Sequence, residues 1–243
     1  MKTGRTYFVA DLHLTDERPA ATGRFFRFLE EQVAGADALY ILGDLFEAWT
    51  GDDHDEAVAT ETARRLKTLA TSGTPVYFQH GNRDFMLAQR YASHAGMTLI
   101  ADPARVDLYG VPTLLMHGDT LCTDDLAYQA FRRRSRHPVT VALLRRLPKG
   151  LRRHLAQRAR AGSAAAKAHK PAAIMDVNVS EVVRVLRVQR VQRLIHGHTH
   201  RPARHTHEVD GTACERWVLP DWYARWGYVV CDAAGCTLEV APS

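Results

Sequence analysis

The stretch TYFVADLHL, from Thr6 to Leu14, joins a short apolar run to an Asp-x-His motif. Its first five residues are mostly aromatic or β-branched, which predicts a buried strand, and Asp11 and His13 follow directly after it. Three further apolar runs also end in polar motifs: ALYIL (38–42) before GDLFE, PVYFQ (75–79) before HGNRD, and PTLLM (112–116) before HGD. These repeated strands with polar ends decide the fold class.

Helical segments lie between the predicted strands. GRFFRFLEEQV (23–33) and DEAVATETARRLKTLA (55–70) carry apolar residues at i, i+3 and i+4 spacing. Apolar strands that alternate with helices predict an α/β fold whose sheet is covered on both faces. The short C-terminal runs RWVLP, GYVVCD and TLEV predict antiparallel strands that close the fold. With 243 residues, 46% of them hydrophobic, the chain is predicted to form a single domain spanning 1–243.

The net charge of +5 hides an uneven distribution. Residues 126–175 contain no Asp or Glu but hold 13 of the 32 Lys and Arg residues, which leaves 19 basic against 27 acidic residues elsewhere, a net of −8. The segment is rich in Ala, Leu and Arg and is broken by prolines, so we predict two or three inserted helices at about 121–175. Such a segment usually meets phosphates of nucleic acid, anionic lipid or substrate; a solvated helical face is the alternative.

The N-terminus MKTGRTYFVADLHL lacks the long apolar core of a signal peptide, and no run approaches the roughly 18 apolar residues of a membrane-spanning helix. The four cysteines show no CxxC spacing. This pattern predicts reduced thiols in a cytosolic protein and argues against a thiolate metal site. A disulfide between Cys231 and Cys236, across the turn in CDAAGC, is the less favoured alternative.

A fifth polar cluster lies in the stretch LIHGHTHRP (194–202), which begins with apolar residues and carries imidazoles at His196, His198 and His200. Binding groups of open α/β sheets lie past the carboxyl ends of strands, so we expect the five clusters to converge. One such residue is usually a turn former or helix cap, but five recurrences favour a site. Carboxylates, an amide and imidazoles without a thiolate suit Mn²⁺, Fe²⁺ or Zn²⁺, and their number suits two ions. Alternation alone does not say which of the three histidines bind.

The motifs D-x-H, G-D-x-x-E, G-N-R-D, H-G-D and G-H-T-H, in this order, resemble those of the calcineurin-like metallophosphoesterase superfamily. The resemblance runs from about Tyr7 to Pro202. Within it, GDLFEAWTGDD, HGNRDFML, MHGDTLCTDD and AIMDVN are similar to the pyrophosphohydrolases that act on UDP-2,3-diacylglucosamine in lipid A biosynthesis. The resemblance implies a layered metallophosphoesterase sandwich, with mixed sheets flanked by helices and an inserted helical cap. The last 40 residues, including DWYARWGYVVCD, match only loosely and add little to the resemblance.

The resemblance also implies a ligand set for two Mn²⁺ ions, with other divalent metals as alternatives. The implied metal-binding and catalytic residues are Asp11, His13 and His200 for one ion, Asn82, His117 and His198 for the other, and Asp44 as the bridge. His196 falls outside the motif and is expected to hydrogen-bond locally or to support a ligand. In the similar pyrophosphohydrolases, a water activated by the ions attacks the α-phosphorus of UDP-2,3-diacylglucosamine. The products are UMP and 2,3-diacylglucosamine 1-phosphate.

The substrate contacts implied by the resemblance are Asn82, Arg83, Asp125, Ser163, Lys167, Lys170 and His198. Arg83 is expected to pair with substrate phosphates, and a salt bridge to Asp84 is its alternative. The inserted helices are expected to shelter the acyl chains. The remaining arginines of the insert are expected to meet anionic lipid headgroups: Arg132, Arg133, Arg134, Arg145, Arg146, Arg152 and Arg153. We therefore expect a peripheral protein on the cytoplasmic face of the inner membrane, with no nucleic acid and no obligate protein partner.

Other polar residues near the motifs are expected to play supporting roles. Glu47, His80 and Asp119 are candidates for orienting the ligands, while Asp52 and Asp53 are expected to cap the following helix. Two other functions remain open from the sequence. The first is a phosphodiesterase acting on nucleic acid or cyclic nucleotides, although the insert offers few aromatic residues for stacking. The second is a non-catalytic scaffold, which is disfavoured because every ligand position holds the expected residue type.

Overall fold

Two mixed sheets form the centre of the molecule. The computed structural model describes residues 4–168, 175–223 and 225–242. The first sheet has the strand order β11-β10-β1-β2-β3-β4. Strands β1 to β4 run parallel, β10 is antiparallel to β1, and β11 is antiparallel to β10. Its strands are β1 Thr6–Val9, β2 Ala38–Leu42, β3 Val76–Gln79, β4 Met97–Leu99, β10 Arg225–Asp232 and β11 Gly235–Pro242.

The second sheet has the order β5-β6-β7-β9-β8, with β6, β7 and β9 parallel and the two outer strands antiparallel to their neighbours. Its strands are β5 Ala104–Leu108, β6 Val111–Met116, β7 Arg193–His196, β8 Ala203–Val209 and β9 Thr212–Val218. Phe8, Leu42, Leu115, Ile195 and Trp217 from both sheets pack into one apolar cluster. The sheets therefore face each other.

Helices cover the outer faces of the two sheets. The helices α1 Pro19–Phe28, α2 Ala57–Thr71 and α3 Gln89–His94, with a π-helical turn at Leu29–Val33, pack against the first sheet. Helix α7 Val179–Gln189 packs against the second. The predicted layered α/β sandwich of mixed sheets is confirmed. Each sheet is covered on both faces, as expected, by helices on its outer face and by the other sheet on its inner face.

Among the described residues, three α-helices lie between β6 and α7: α4 Leu126–Ser135, α5 Pro138–Arg146 and α6 Lys149–Ala168. We call them the helical insert. None of the side chains of α4 and α5 is fully buried, although both helices carry apolar residues. Without a core of its own, the insert depends on contacts with the body of the protein.

Ion pairs supply several of these contacts. The buried carboxylate of Asp119 accepts hydrogen bonds from Arg132 (2.8 Å), Arg136 (2.9 Å) and the Tyr128 hydroxyl (2.7 Å), all on α4 or at its end. Arg152 is buried, pairs with Asp53 and donates to the Thr50 carbonyl. Lys149 and Arg153 both pair with Asp55. The expectation that Arg132, Arg152 and Arg153 meet lipid headgroups is therefore wrong, since acidic groups of the body engage them.

Two local predictions also need correction. Cys231 and Cys236 form a disulfide between β10 and β11, because they are directly paired in the antiparallel register; the reduced state expected from the sequence holds for Cys122 and Cys214. Asp52 does not cap the following helix α2. Its carboxylate accepts hydrogen bonds from the N–H groups of Ala88 and Tyr91 at the start of α3. Within the described residues, no helix is long and apolar enough to cross a membrane.

Candidate metal centre

The parallel strands of the two sheets end at a common edge of the sandwich, and a polar side chain follows each end. Strands β1, β2 and β3 lead into Asp11, Asp44 and Asn82, while β6 and β7 lead into His117 and the His198–His200 loop. Backbone hydrogen bonds join these loops: Asp11 N–H donates to the Gly43 carbonyl, and Gly197 N–H donates to the His117 carbonyl. The fold therefore brings all seven proposed ligands together.

One group consists of Asp11, His13 and His200. The His200 Nε2 atom lies 3.3 Å from Asp11 Oδ1, and His13 Nε2 lies 3.9 Å from the same oxygen. All three candidate ligand atoms lie within 4.8 Å of one another. This spacing lets one cation contact all three side chains.

A second group consists of Asn82, His117 and His198. The Asn82 Oδ1 atom lies 3.1 Å from His117 Nε2 and 2.9 Å from His198 Nδ1. The His117 Nδ1–H group donates to the Leu42 carbonyl at 2.9 Å, which leaves Nε2 as the nitrogen that faces Asn82. An amide oxygen and two imidazole nitrogens therefore point towards one position.

Asp44 lies between the two groups. Its Oδ2 atom is 3.6 Å from His13 Nε2, while Oδ1 is 3.9 Å from His117 Nε2 and accepts a hydrogen bond from the Arg83 N–H group at 2.8 Å. Asp11, Asp44 and His117 also form a candidate ligand cluster. A carboxylate with one oxygen towards each group is arranged as a bridging ligand requires.

The backbone of these loops adopts a conformation that most residues avoid. Eight non-glycine residues of the described chain have positive φ, and five of them are proposed ligands: Asp11 (54°), His13 (48°), Asp44 (54°), His198 (71°) and His200 (56°). Positive φ is uncommon outside glycine, although Asp, Asn and His are enriched there. Its concentration at one sheet edge marks this edge as a functional site.

Two glycines make room for the carboxylates. A Cβ atom on Gly81 would lie 2.1 Å from Asp44 Oδ1, and one on Gly197 would lie 2.4 Å from Asp11 Oδ2. Both distances are shorter than any real contact, so a larger residue at either position would displace a proposed ligand.

The side chains present fit divalent cations. Asp11 Oδ1 and both ring nitrogens of His13 are buried and have no hydrogen-bond partner among the described residues. Burial lowers the pKa of His13 to about 3, so its ring is neutral at pH 7 and offers a lone pair. Burial, together with the neighbouring carboxylates Asp84 and Asp11, raises the pKa of Asp44 to about 7 against the opposing effect of His117. A metal ion would satisfy these atoms and stabilise the ionised Asp44.

His196 differs from its two neighbours in LIHGHTHRP. It is fully buried, its Nδ1–H group donates to the Gly197 carbonyl (2.8 Å), and its Nε2 atom accepts a hydrogen bond from Arg216 (3.2 Å). Burial, together with Arg216, lowers the pKa of His196 to about 3. With both nitrogens engaged, this neutral imidazole has no free lone pair for an ion.

Carboxylates lie behind two of the proposed ligand histidines. The Glu47 carboxylate lies 3.7 Å from His13 Nδ1 and accepts a hydrogen bond from Arg18 at 2.7 Å. Asp221 lies 3.7 Å from His200 Nδ1. A carboxylate behind a metal-binding histidine fixes its ring and raises its basicity. His80 instead donates to the Leu87 carbonyl (2.7 Å).

The C-terminal segment contributes more than its sequence suggested. Asp221 orients His200, the Tyr223 hydroxyl donates to Glu47, and Trp222 N–H donates to the Asp11 carbonyl at 3.2 Å. The signal was present in the sequence, because Asp221 follows the apolar run RWVLP as the other polar clusters follow theirs. This segment therefore takes part in the site, although it matches the family only loosely.

The predicted substrate contacts lie at different distances from this centre. Asn82 and His198 belong to it, and Arg83 follows Asn82 with its Nε atom buried and without a hydrogen-bond partner in the described chain. Asp84 accepts hydrogen bonds from the N–H groups of Leu45 and Gly81. Asp125 caps α4 by accepting from the Tyr128 N–H group (3.0 Å), and Ser163 is exposed on α6. The side chain of Lys167 and all of Lys170 lie outside the described residues.

Comparison with known proteins places the chain in a family. The calcineurin-like phosphoesterase family matches residues 4–202. A protein of Xanthomonas axonopodis pv. citri named UDP-2,3-diacylglucosamine hydrolase is 49% identical over 241 residues, covering 96% of this chain and 98% of the relative. A protein of the same name from Stenotrophomonas maltophilia is 48% identical, covering 96% of this chain and 97% of the relative. Another from Azotobacter vinelandii is also 48% identical and covers 98% of each chain. The protein thus belongs to the calcineurin-like phosphoesterase family, and its relatives there are UDP-2,3-diacylglucosamine hydrolases.

Proposed function

We propose that this protein hydrolyses the pyrophosphate bond of UDP-2,3-diacylglucosamine, giving UMP and 2,3-diacylglucosamine 1-phosphate (lipid X) for lipid A biosynthesis. The observation that carries the proposal is the position of Asp44 between two groups of ligand-type side chains, in a chain nearly half identical to hydrolases of this substrate. A scaffold without catalysis would not need such a site.

The two groups would hold two divalent ions, with Asp11, His13 and His200 around one, Asn82, His117 and His198 around the other, and Asp44 between them. Nitrogen and oxygen donors without a thiolate suit Mn²⁺. When bound, such ions supply a hydroxide near neutral pH and neutralise charge on the α-phosphoryl group. The protein holds the rings in place through Glu47, Asp221 and the Leu42 carbonyl.

Arg83 is our candidate for the substrate phosphates. Its backbone N–H group is fixed by Asp44, and its Nε–H group lacks a partner within the described residues. A guanidinium held beside the scissile group can donate two parallel hydrogen bonds to phosphate oxygens. This contact would orient the pyrophosphate so that the α-phosphorus faces the activated water.

The diacylglucosamine half would bind between the body and α6. A cleft of about 230 Å³ lies there, with Glu47, Thr50 and His54 on one side and Arg153 and Arg160 on the other. It begins at Glu47, which also contacts His13, so it opens beside the centre. Asp125, Ser163, Lys167 and Lys170 are the residues of the insert that we propose for the sugar and phosphate.

The helical insert also supports a peripheral position at the cytoplasmic face of the inner membrane. Val139 and Leu143 of α5 are 60% and 58% exposed, and the exposed Arg145 and Arg146 follow on the same helix. Exposed apolar residues beside arginines suit the boundary between headgroups and acyl chains. A soluble, diacylated substrate pool is not expected, so the enzyme must meet its substrate at a lipid surface.

The function is tested by measuring UMP release from UDP-2,3-diacylglucosamine after the protein has been stripped with a chelator and reloaded with Mn²⁺, Mg²⁺ or Zn²⁺. We expect no activity without metal and the highest activity with Mn²⁺. Single-stranded DNA and bis-p-nitrophenyl phosphate serve as competing substrates. Faster hydrolysis of DNA than of the nucleotide lipid would overturn the proposal, and a metal-loaded protein that hydrolyses neither would indicate a scaffold.

The membrane position is tested by sedimentation with anionic vesicles at low salt. We expect the wild-type protein to sediment with the vesicles and the double substitution Val139→Gln and Leu143→Gln to remain in solution. The substitution Val188→Gln, at another exposed apolar residue on α7, is the control. Equal sedimentation of all three proteins, or of none, would contradict the proposed role of α5.

A further inference from the structure

A second cavity, of about 320 Å³, is lined in part by Thr199, which stands between the proposed ligands His198 and His200. Its lining also includes Arg201, just after the His198–His200 loop. Arg216 of β9, Arg225 of β10 and Asp176 before α7 also line it. Thr199 stands between two proposed ligands, so a molecule held at the centre can extend into this cavity. Its volume falls at the lower end of the roughly 300–1,000 Å³ typical of small-molecule sites.

The floor of the cavity contains a buried cation. Arg216 is only 5% exposed; no carboxylate of the described residues forms an ion pair with its guanidinium, and the charge of Asp176 acts on it from beyond ion-pair distance. Its partners are the ring nitrogens of His196 and His207, each 3.2 Å away. A buried charge is costly unless an opposite charge or several strong acceptors meet it. Neutral imidazoles supply only part of that compensation.

Other groups around the cavity also favour an acceptor-rich ligand. Its one lining carboxylate, Asp176, is already paired with Arg201 and accepts a hydrogen bond from the Val177 N–H group at 2.8 Å. The Thr199 hydroxyl is buried without a hydrogen-bond partner among the described residues. Guanidinium groups only donate hydrogen bonds, so this lining calls for oxygen acceptors. An acyl chain would offer no acceptor to the Thr199 hydroxyl and no negative charge to the buried Arg216.

We infer that this cavity binds the uridine 5′-phosphate half of the substrate, an inference that rests on the proposed function. The substrate has two halves joined by the pyrophosphate, and the cleft beneath α6 is assigned to the lipid half. The nucleotide half carries phosphate, ribose and uracil oxygens, which match the donors of Arg216, Arg225 and Thr199. Arg216 thereby gains an anionic acceptor in addition to its two imidazole partners.

The inference is tested by titrating UMP, uridine, inorganic phosphate and 2,3-diacylglucosamine 1-phosphate into the protein by calorimetry. The variants are Arg225→Gln, at the exposed rim, and Arg216→Gln, at the floor. Arg204→Gln is the matched control, because this exposed arginine of β8 lies outside the cavity and pairs with Glu215 at 2.5 Å. We expect both cavity variants to bind UMP about tenfold or more weakly, as loss of a charged hydrogen bond implies, with little change for the lipid product. In steady-state kinetics, KM should rise more than kcat falls.

Three results would overturn the inference. The first is unchanged UMP affinity in Arg225→Gln and Arg216→Gln. The second is an equal loss of affinity for UMP and for the lipid product, which indicates a structural role for these arginines. The third is equal weakening of UMP and inorganic phosphate with no contribution from uridine, which indicates a bare phosphate site. If the wild-type protein releases no UMP from UDP-2,3-diacylglucosamine, the proposed function fails, while the UMP titration still decides the role of the cavity.

Discussion

The metal-centre edge and the helical insert are built in opposite ways. At the edge, side chains from five strand ends are fully or mostly buried, and the loops that carry them are joined by backbone hydrogen bonds. In the insert, α4 and α5 have no fully buried side chain, and ion pairs such as Arg132–Asp119 fasten the helices to the body. The difference matches the two roles that we propose: catalysis at the edge, which needs fixed positions, and recognition of a flexible lipid by the insert, which tolerates adjustment.

The largest effect is expected from substitutions at the edge. Asp44→Asn and His117→Ala each remove or weaken a proposed metal ligand. Loss of a residue that only supports a ligand costs roughly 10–100-fold, so we expect each of these substitutions to lower kcat by more than that. UMP release at saturating Mn²⁺ measures the loss. His94→Ala, at an exposed histidine of α3, should retain full activity. Near wild-type turnover in either variant would show that the substituted residue is not a required metal ligand.

The outer partners should show a smaller loss. Asp221→Asn weakens the carboxylate that faces His200, so we expect metal affinity to fall about 10–100-fold. Metal content after dialysis against graded chelator measures this change, and Asp210→Asn, at an exposed carboxylate paired with Arg187, serves as its control. Equal metal retention by the two variants would show that Asp221 does not orient the ring.

His196→Ala should separate stability from metal binding. The substitution leaves Arg216 without one of its two imidazole partners, and loss of a buried partner costs about 1–3 kcal/mol of unfolding free energy. Chemical denaturation should detect that loss while the bound metal stays at the wild-type level. His200→Ala provides the comparison and should lose metal. If His196→Ala releases as much metal as His200→Ala, the proposed choice of ligands is wrong.

The insert should respond most weakly. Arg152→Gln removes the ion pair to Asp53 and the hydrogen bond to Thr50, so α6 should pack less firmly against the body. We expect KM for the lipid substrate to rise several-fold, with kcat and the midpoint of thermal unfolding little changed, since α6 lies outside the central core. Arg158→Gln, at an exposed arginine on the same helix, should behave as the wild type. A large fall in the unfolding midpoint would show that the insert is part of the cooperative core.

The sequence predicted the edge better than the insert for a physical reason. A strand followed by a polar residue is a local pattern, and parallel strands then carry their ends to one place, so the convergence of Asp11, Asp44 and His117 followed from short-range signals. The pairing of Arg152 with Asp53 joins residues about a hundred positions apart, and composition alone suggested a surface arginine. The second sheet was predicted only through the family resemblance, because a run buried against another sheet has the same apolar pattern as one buried beneath helices.

The positive φ angles of five proposed ligands constrain which amino acids these positions accept. Asp, Asn and His tolerate the left-handed region, whereas β-branched residues do not. Glu could reach an ion from several of these sites but lacks the short side chain that makes the left-handed backbone tolerable. An alanine at Asp11 or His200 would therefore combine a lost ligand with a strained backbone, while asparagine would keep the loop and change only the donor. Mutational scans of this edge should show asparagine as the mildest replacement. The backbone conformation thus restricts which ligand residues these positions accept, whether or not a metal ion is bound.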